Sequence, residues 1–211
     1  MESNGKIRVL VADDHFVVRI GLAAVIDAQP DMIVIDQAEN GQQAIELYRK
    51  HSPDVVLMDL RMPVVSGLEA TTAIRKDFPD ARIVVLTTFD GDEDIFRALQ
   101  AGAGAYLLKH TLKEELLAAI KAVNQGKRYI PTGVAMRLAE RPPLSDLTDR
   151  EIEVLRLMAE GLSNSDISAT LSISVGTVKT HINRILSKLG ARDRTQAVTT
   201  AIQRGLVHPG K

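Results

Sequence analysis

IRVLVADD, residues 7–14, is a strand-length apolar run that ends abruptly in two aspartates. It shows little alternation, as expected of a strand buried on both faces, and it is too short to cross a membrane. Similar runs recur along the chain: MIVIDQA (32–38), DVVLMD (54–59), RIVVLT (82–87) and AYLLK (105–109). Between them lie segments with helical periodicity, such as AIELYRK (44–50), DIFRALQA (94–101) and LKEELLAAIKAV (112–123). This alternation predicts a doubly wound α/β domain over residues 1–125, with a five-stranded parallel sheet and helices on both faces. After Gly126 the pattern fades, and Pro142 and Pro143 stand together near the end of a linker placed at 126–145, with room for a short helix. From Thr148 the strand-like runs stop. Helical segments at 148–160, 164–171, 175–189 and 194–205 predict a small all-α, four-helix domain over 146–211.

The composition suits this division. The 211 residues, 45% hydrophobic and 25% charged, are enough for two small globular domains. The absence of cysteine excludes a disulfide framework, a thiolate metal site and a cysteine nucleophile. Neither a signal-peptide core in MESNGK nor an uncharged run of spanning length is seen, so a cytoplasmic protein without membrane contact is expected. The net charge of −1 hides a segregation: residues 1–143 carry −3 and residues 144–211 carry +2. From Lys179 onward there are seven bases and one acid, Asp193. A local basic surface on a near-neutral protein suggests a phosphate-bearing partner.

Open α/β sheets bind ligands beyond the carboxyl ends of their strands. The predicted strands end in Asp13 and Asp14, Asp59, Thr87 and Lys109, so three carboxylates, a hydroxyl and an ammonium should share one rim. Singly, each of these residues suits a helix cap or a solvated loop. Together they repel unless a cation or proton intervenes, and Mg²⁺ is the common small, hard divalent choice. With a metal on two carboxylates, the third can attack a phosphoryl group to form an acyl phosphate. Lys109 and Thr87 would then hold phosphoryl oxygens. His15 and His110 match no metal-ligand spacing and are read as ordinary polar residues.

In the second domain Thr148 and Glu151 form a capping box, while Ser163 and Ser174 are placed to cap the next two helices. Those two helices, joined by a short turn, make a helix-turn-helix. Along the later one, Val178, Ile182, Ile185, Leu186 and Leu189 form a narrow apolar stripe. The opposite face presents Gly176, Thr180, Asn183 and Ser187, flanked by Lys179 on one side and by Arg184 and Lys188 on the other. A slim centre with basic flanks suits a helix entering the major groove. The last helix carries Ala197, Val198, Ala201, Ile202 and Leu206, an apolar face that a small bundle need not cover completely.

VLVADDH (9–15), VVLMDLRMPVVSGLEA (55–70), VVLTT (84–88) and AYLLK (105–109), followed by LTDREIEVLRLMAEGLSNSDIS and TVKTHINRILSKLGARDRTQA, resemble a two-component response regulator of the NarL/FixJ type. Such proteins join a flavodoxin-like receiver to a LuxR-type helix-turn-helix. The resemblance implies a phosphorylation-regulated DNA-binding transcriptional regulator in which Asp59 accepts phosphate from a sensor histidine kinase. It further implies that Asp14, Asp59 and the Arg61 carbonyl bind Mg²⁺ with help from Asp13, and that Thr87 and Tyr106 rearrange as switch residues beside Lys109. By the same resemblance Lys179, Thr180, Asn183 and Thr177 lie near bases of double-stranded DNA, and Arg184, Lys188, Arg192 and Arg194 contact phosphates. A homodimer forming on phosphorylation and DNA binding is implied, paired through the last helix on DNA. Three departures stand out. His110 replaces the proline that often follows the lysine, and Ala105 replaces the usual glycine before the aromatic. Arg61 and Phe89 occupy the positions that line the path of the hydrolytic water.

Two other readings remain open at this stage. A Mg²⁺-dependent phosphohydrolase would also use acidic strand ends, although Arg61 stands where it would need an acid or base. A receiver with an intact but unused pocket is the other. The reading preferred is a signalling switch, with only weak autophosphorylation from small donors and autodephosphorylation.

Overall fold

The computed structural model describes residues 5–141 and 147–208. Pro142 and Pro143, the end of the expected linker and the expected domain start at residue 146 lie outside the described residues. The chain divides into two compact units, the first of residues up to 89 with 95–136 and the second of residues 90–94 with those from 137 on; the strands all lie in the first.

In the first unit strands and helices alternate: β1 (Ile7–Ala12), α1 (Phe16–Asp27), β2 (Met32–Ala38), α2 (Gly41–His51), β3 (Val55–Met58), α3 (Gly67–Asp77), β4 (Ile83–Thr87), α4 (Asp92–Gln100), β5 (Ala105–Leu108) and α5 (Lys113–Asn124). All strand pairs are parallel, in the order β2-β1-β3-β4-β5. The chain reverses direction across the sheet between β1 and β3, so the loops leaving those strands diverge and open a crevice. Asp13 and Asp14 follow β1, and Asp59 follows β3. The aspartates thus flank the point where such a sheet binds ligands.

Alternate side chains explain the continuous apolar runs. Val9, Val11, Val55 and Leu57 pack on one face with Ile26 of α1 and Leu116 and Ile120 of α5. Leu10, Val56 and Met58 pack on the other with Ala44 and Tyr48 of α2 and Ala70 and Ile74 of α3. β3 and β4 are buried on both faces along their whole length, whereas the edge strand β2 is only partly covered and carries Asp36 and Gln37. Ala105, one of the three departures from the resembled pattern, is fully buried and pairs with Val84 without interrupting β5. No cis peptide occurs among the described residues, so the bond between Lys109 and His110 is trans.

A short helix, α6 (Thr132–Ala139), falls within the segment read as a linker. Four helices follow: α7 (Asp149–Ala159), α8 (Asn164–Leu171), α9 (Val175–Leu189) and α10 (Arg194–Gln203). Thr148 and Glu151 form the expected capping box of α7; Ser163 forms one with Asp166 on α8, and Ser174 caps α9 through the Thr177 N–H. Their core joins Val154, Leu155 and Met158 of α7 to Ile167 of α8, to Val178, Ile182 and Ile185 of α9, and to Ala197 and Ala201 of α10. The apolar face of α10 is therefore largely covered within its own domain, with Leu206 buried too and Ile202 left exposed.

One glycine decides how closely the loop after β3 closes over the site. The Gly67 N–H donates to the Leu60 carbonyl at 3.0 Å, and a Cβ at Gly67 would collide with the carbonyl oxygen of Asp59. Gly67→Ala is expected to lower stability to urea by about 1–3 kcal/mol, the usual cost of overpacking. Gly133→Ala in α6, where a Cβ meets nothing within 4 Å, should instead be neutral or gain up to about 1 kcal/mol.

Candidate functional site

The acidic pocket is built by strand ends locked to their neighbours. The Asp59 N–H donates to the Ala12 carbonyl at 2.8 Å and the Asp13 N–H to that of Ala38 at 3.1 Å, so the ends of β1, β2 and β3 are tied together. Asp13 and Asp59 are both buried. Lys109 Nζ reaches between them, 2.6 Å from Asp13 Oδ2 and 2.7 Å from Asp59 Oδ2. Its own N–H donates to the Thr87 carbonyl at 2.8 Å, which fixes the end of β5 against β4.

Thr87 is fully buried, with its Oγ1 3.4 Å from the donating N–H of Phe89. Tyr106 is also fully buried, and its hydroxyl donates to the Phe89 carbonyl at 2.8 Å. The two residues read as a switch are thus joined through Phe89. On the loop after Asp59, the Arg61 guanidinium lies over the Phe89 ring, 4.7 Å from its centroid. Cation and ring attract each other at this range, so the two side chains pack as one unit.

The charges in this pocket do not balance by themselves. Burial pushes the Asp59 carboxyl above its ordinary value, and the Asp13 charge acts in the same direction, while Lys109 opposes both. Burial lowers the Lys109 ammonium, but Asp13 and Asp59 outweigh it and hold its pKa above the ordinary lysine value. One ammonium thus serves carboxylates that repel each other. Asp59 Oδ1 is buried without a hydrogen-bond partner, a state that costs free energy unless a ligand relieves it. Ligand atoms of Asp13, Asp14, His15 and Asp59 all lie within 4.8 Å of one another. The pocket therefore fits a metal ion.

His15, read from the sequence as an ordinary polar residue, turns towards the acids. Its Nδ1 is 2.8 Å from Asp14 Oδ1 and 3.3 Å from Asp13 Oδ1. Three successive residues in a turn carry no recognisable ligand spacing, so only the backbone path revealed the cluster. His110 joins no such group. Arg19 was missed altogether. Its guanidinium is buried, donating to the Asp13 carbonyl at 2.7 Å and to Glu39 Oε1 at 2.6 Å, and it pins the turn that carries both aspartates. The only available signal was an arginine inside an otherwise apolar helix segment, FVVRIGL.

In the helical domain Thr177, Lys179, Thr180, Asn183 and Arg184 are all exposed on α9, and Arg192 is exposed just after it. The Thr180 hydroxyl donates to the Gly176 carbonyl at 3.1 Å. A Cβ at Gly176 would meet only Ser174 Oγ, at 3.6 Å, so the domain's own packing does not require glycine there.

Two of the expected phosphate ligands have other work. Lys188 Nζ lies 2.7 Å from Oε2 of the buried Glu151. Arg194 reaches the Leu162 carbonyl at 2.5 Å and Asn164 Oδ1 at 3.2 Å. Both side chains tie α9 and α10 to the earlier helices, a structural role that the sequence reading of them as phosphate ligands did not include. The helical spacing that put Lys188 on the basic flank could not show that Glu151 faces it.

Burial raises the Glu151 carboxyl, but Lys188 and the Thr148 cap together outweigh it and hold its pKa below the ordinary 4.5. A carboxylate lowered on folding contributes stability above its unfolded pKa and loses it as pH falls through the folded value. Glu151→Gln should therefore be less stable than wild type above pH 4.5, with the gap closing under acid. Lys188→Ala should cost about 1.5–3 kcal/mol, the worth of a charged hydrogen bond. Circular dichroism during urea unfolding checks both.

Comparison with known proteins agrees with this architecture. Residues 9–121 match the response regulator receiver domain, and residues 145–201 match the luxR family of bacterial regulatory proteins. The transcriptional regulatory protein LiaR of Bacillus subtilis (strain 168) is 44% identical over 210 residues, covering 96% of this chain and 100% of LiaR. The crystal structure of the response regulator ChrA from a heme-sensing two-component system aligns with a TM-score of 0.59 at 40% identity, over 96% of this chain and 99% of that one. A structure of two RcsB dimers bound to two parallel DNAs aligns with a TM-score of 0.67 at 26% identity, over 94% and 98%. With its aspartate-lined sheet end and its capped helical domain both matched over nearly their full lengths, the chain belongs to the response regulators that join a receiver to a LuxR-type regulatory domain.

Proposed function

We propose that this protein is a cytoplasmic, phosphorylation-controlled transcriptional regulator whose receiver takes a phosphoryl group on Asp59 and whose helical domain binds promoter DNA as a homodimer. The observation that carries the reading is the buried Asp59 carboxylate, with one oxygen on Lys109 and the other without a partner. The domain boundaries that go with it are a receiver at 1–125, a linker at 126–145 and a DNA-binding domain at 146–211.

In the receiver, an Asp59 oxygen attacks the phosphorus of a histidine kinase's phosphoimidazole. The P–N bond breaks, an acyl phosphate forms, and the imidazole leaves with a proton. Asp14, Asp59 and the Arg61 carbonyl, with help from Asp13, would hold Mg²⁺, which supplies Lewis-acid neutralisation of phosphoryl oxygens when bound. Lys109 is released from Asp59 to pair with the phosphoryl group, and Thr87 donates its hydroxyl to another phosphoryl oxygen. Thr87 then draws on Phe89, and Tyr106, already hydrogen-bonded to the Phe89 carbonyl, shifts with it. The protein is a switch that is phosphorylated once, not an enzyme that turns over.

On the DNA side, α9 enters the major groove with Thr177, Lys179, Thr180 and Asn183 towards the bases. Arg184 and Arg192 lie over the backbone. Asn183 suits a bidentate pair with adenine, worth roughly 1–3 kcal/mol of discrimination. Exposed Ile202 on α10 supplies apolar surface for pairing two helical domains. The RcsB assembly on DNA supports such a dimer.

A band-shift against random duplex DNA, with and without a phosphoramidate donor, tests the reading. Wild type should gain affinity with the donor and Asp59→Asn should not; an equal response from both would overturn it. Gly176→Ala should raise the thermal midpoint, since glycine costs a helix up to about 1 kcal/mol, yet weaken DNA binding because the added methyl stands between helix and groove. Arg192→Ala should reduce the salt slope by about one ion. The Arg61 and Phe89 pair is expected to slow attack of water on the acyl phosphate, so an Arg61→Asn, Phe89→Glu double variant should lose phosphate faster, as followed by intact mass.

A further inference from the structure

The turn between β1 and α1 contains a group that neither phosphoryl transfer nor DNA binding uses. His15 is the N-cap of α1, a position at which serine, threonine, aspartate or asparagine normally accepts from the first helical N–H groups. Here the side chain makes no capping hydrogen bond. The imidazole turns instead to the acidic pocket, with Nδ1 2.8 Å from Asp14 Oδ1 and 3.3 Å from Asp13 Oδ1. The opposite oxygen of Asp13 and one oxygen of Asp59 are held by Lys109. Ammonium and imidazole therefore approach Asp13 through different oxygens, and a cation on the imidazole side leaves the lysine contacts in place.

The Oδ1 atoms of Asp13 and Asp14 are the carboxylate atoms nearest the ring nitrogen, and Asp59 Oδ1 is buried without a hydrogen-bond partner. With ligand bonds of about 2.0–2.2 Å, two ligands on opposite sides of one ion lie up to roughly 4.4 Å apart. The observed spread, within 4.8 Å for all four residues, is a few tenths of an ångström from single-ion geometry. Arg19 holds the turn ready, since its buried guanidinium fixes the Asp13 carbonyl. An oxygen-only pocket suits a hard ion such as Mg²⁺, whereas a neutral imidazole nitrogen adds affinity for borderline first-row ions along the Irving–Williams order.

We propose that His15 Nδ1 is a ligand alongside Asp13, Asp14 and Asp59, making the receiver pocket a mixed nitrogen and oxygen site that takes a borderline divalent transition ion more tightly than Mg²⁺. The proposal rests on the reading of the pocket as a receiver metal site and adds its selectivity. Because the two ions compete for the carboxylates around Asp59, the transition ion would set how much of the protein is loaded with Mg²⁺ for phosphorylation.

The test uses the full chain and Co²⁺, whose visible absorption reports its ligands directly. Wild type should bind one Co²⁺ with bands that require a nitrogen donor, and Mg²⁺ should displace it competitively. His15→Ala, at a half-exposed side chain with no cap to lose, should keep its thermal midpoint but lose Co²⁺ affinity at least about tenfold, a scale set by the 10–100-fold effects of groups that merely support a ligand. Its loss of Mg²⁺ affinity should be much smaller. Equal losses for the two ions, or unchanged Co²⁺ binding with Mg²⁺ binding intact, would overturn the role of His15 alone. Failure of wild type to bind either ion would overturn both the proposal and the metal-site reading beneath it.

Discussion

The repulsion among carboxylates at the reversal point of the sheet is the constraint on which the receiver is organised. Asp13 and Asp59 are buried within reach of a single ammonium, and burial drives the Asp59 carboxyl upward despite that ammonium. A protein that had only to be stable would replace such a cluster with apolar side chains, because desolvating charges costs more than their pairing returns in many folds. Such a pocket fits a cation that neutralises the acids and, in the function proposed above, a phosphoryl group that joins one of them as an acyl phosphate. The surrounding structure holds that pocket: backbone hydrogen bonds tie the strand ends, Gly67 lets the next loop close on Asp59, and Arg19 clamps the turn beside Asp13.

The helical domain solves a different problem, that of exposing a narrow polar face while keeping a small core intact. Each of α7, α8, α9 and α10 begins at a side-chain cap, which satisfies backbone donors that a short helix cannot pair internally. Buried Glu151 does two jobs, closing the capping box of α7 and holding Lys188 of α9. That ion pair orients α9, so its exposed residues project as a set. A switch joining the two domains needs differential stabilisation of about 5.5 kcal/mol to move from 1:99 to 99:1. Phosphorylation, dimer formation and DNA contacts can share that amount.

Much of this was legible in the chain. The strands announce themselves because both faces of a parallel sheet are covered, so Val9, Leu10 and Val11 need no alternation. The acids at their ends stand out because a charge abruptly ends each apolar run. The capping box at Thr148 is a local rule and was found by local reading. The misses are contacts between elements. Helical spacing placed Lys188 and Arg194 among the basic residues but carries no information about Glu151 or the Leu162 carbonyl, which lie on other helices. The approach of His15 to Asp13 and Asp14 was not legible because it forms in a turn, where sequence spacing carries no helical or strand periodicity. The face of α10 is left partly open, as its sequence suggested: Ala197 and Ala201 are buried while Ile202 stays exposed.

The most direct measurement of the central claim is the intact mass of the protein after incubation with acetyl phosphate or phosphoramidate, with Mg²⁺ and with excess chelator. One added phosphate, about 80 Da, should appear only with the metal, map to Asp59 and be absent from Asp59→Asn. Phosphate on another residue, or uptake indifferent to chelation, would contradict the account of a pocket whose crowded acids are made reactive by a bound cation.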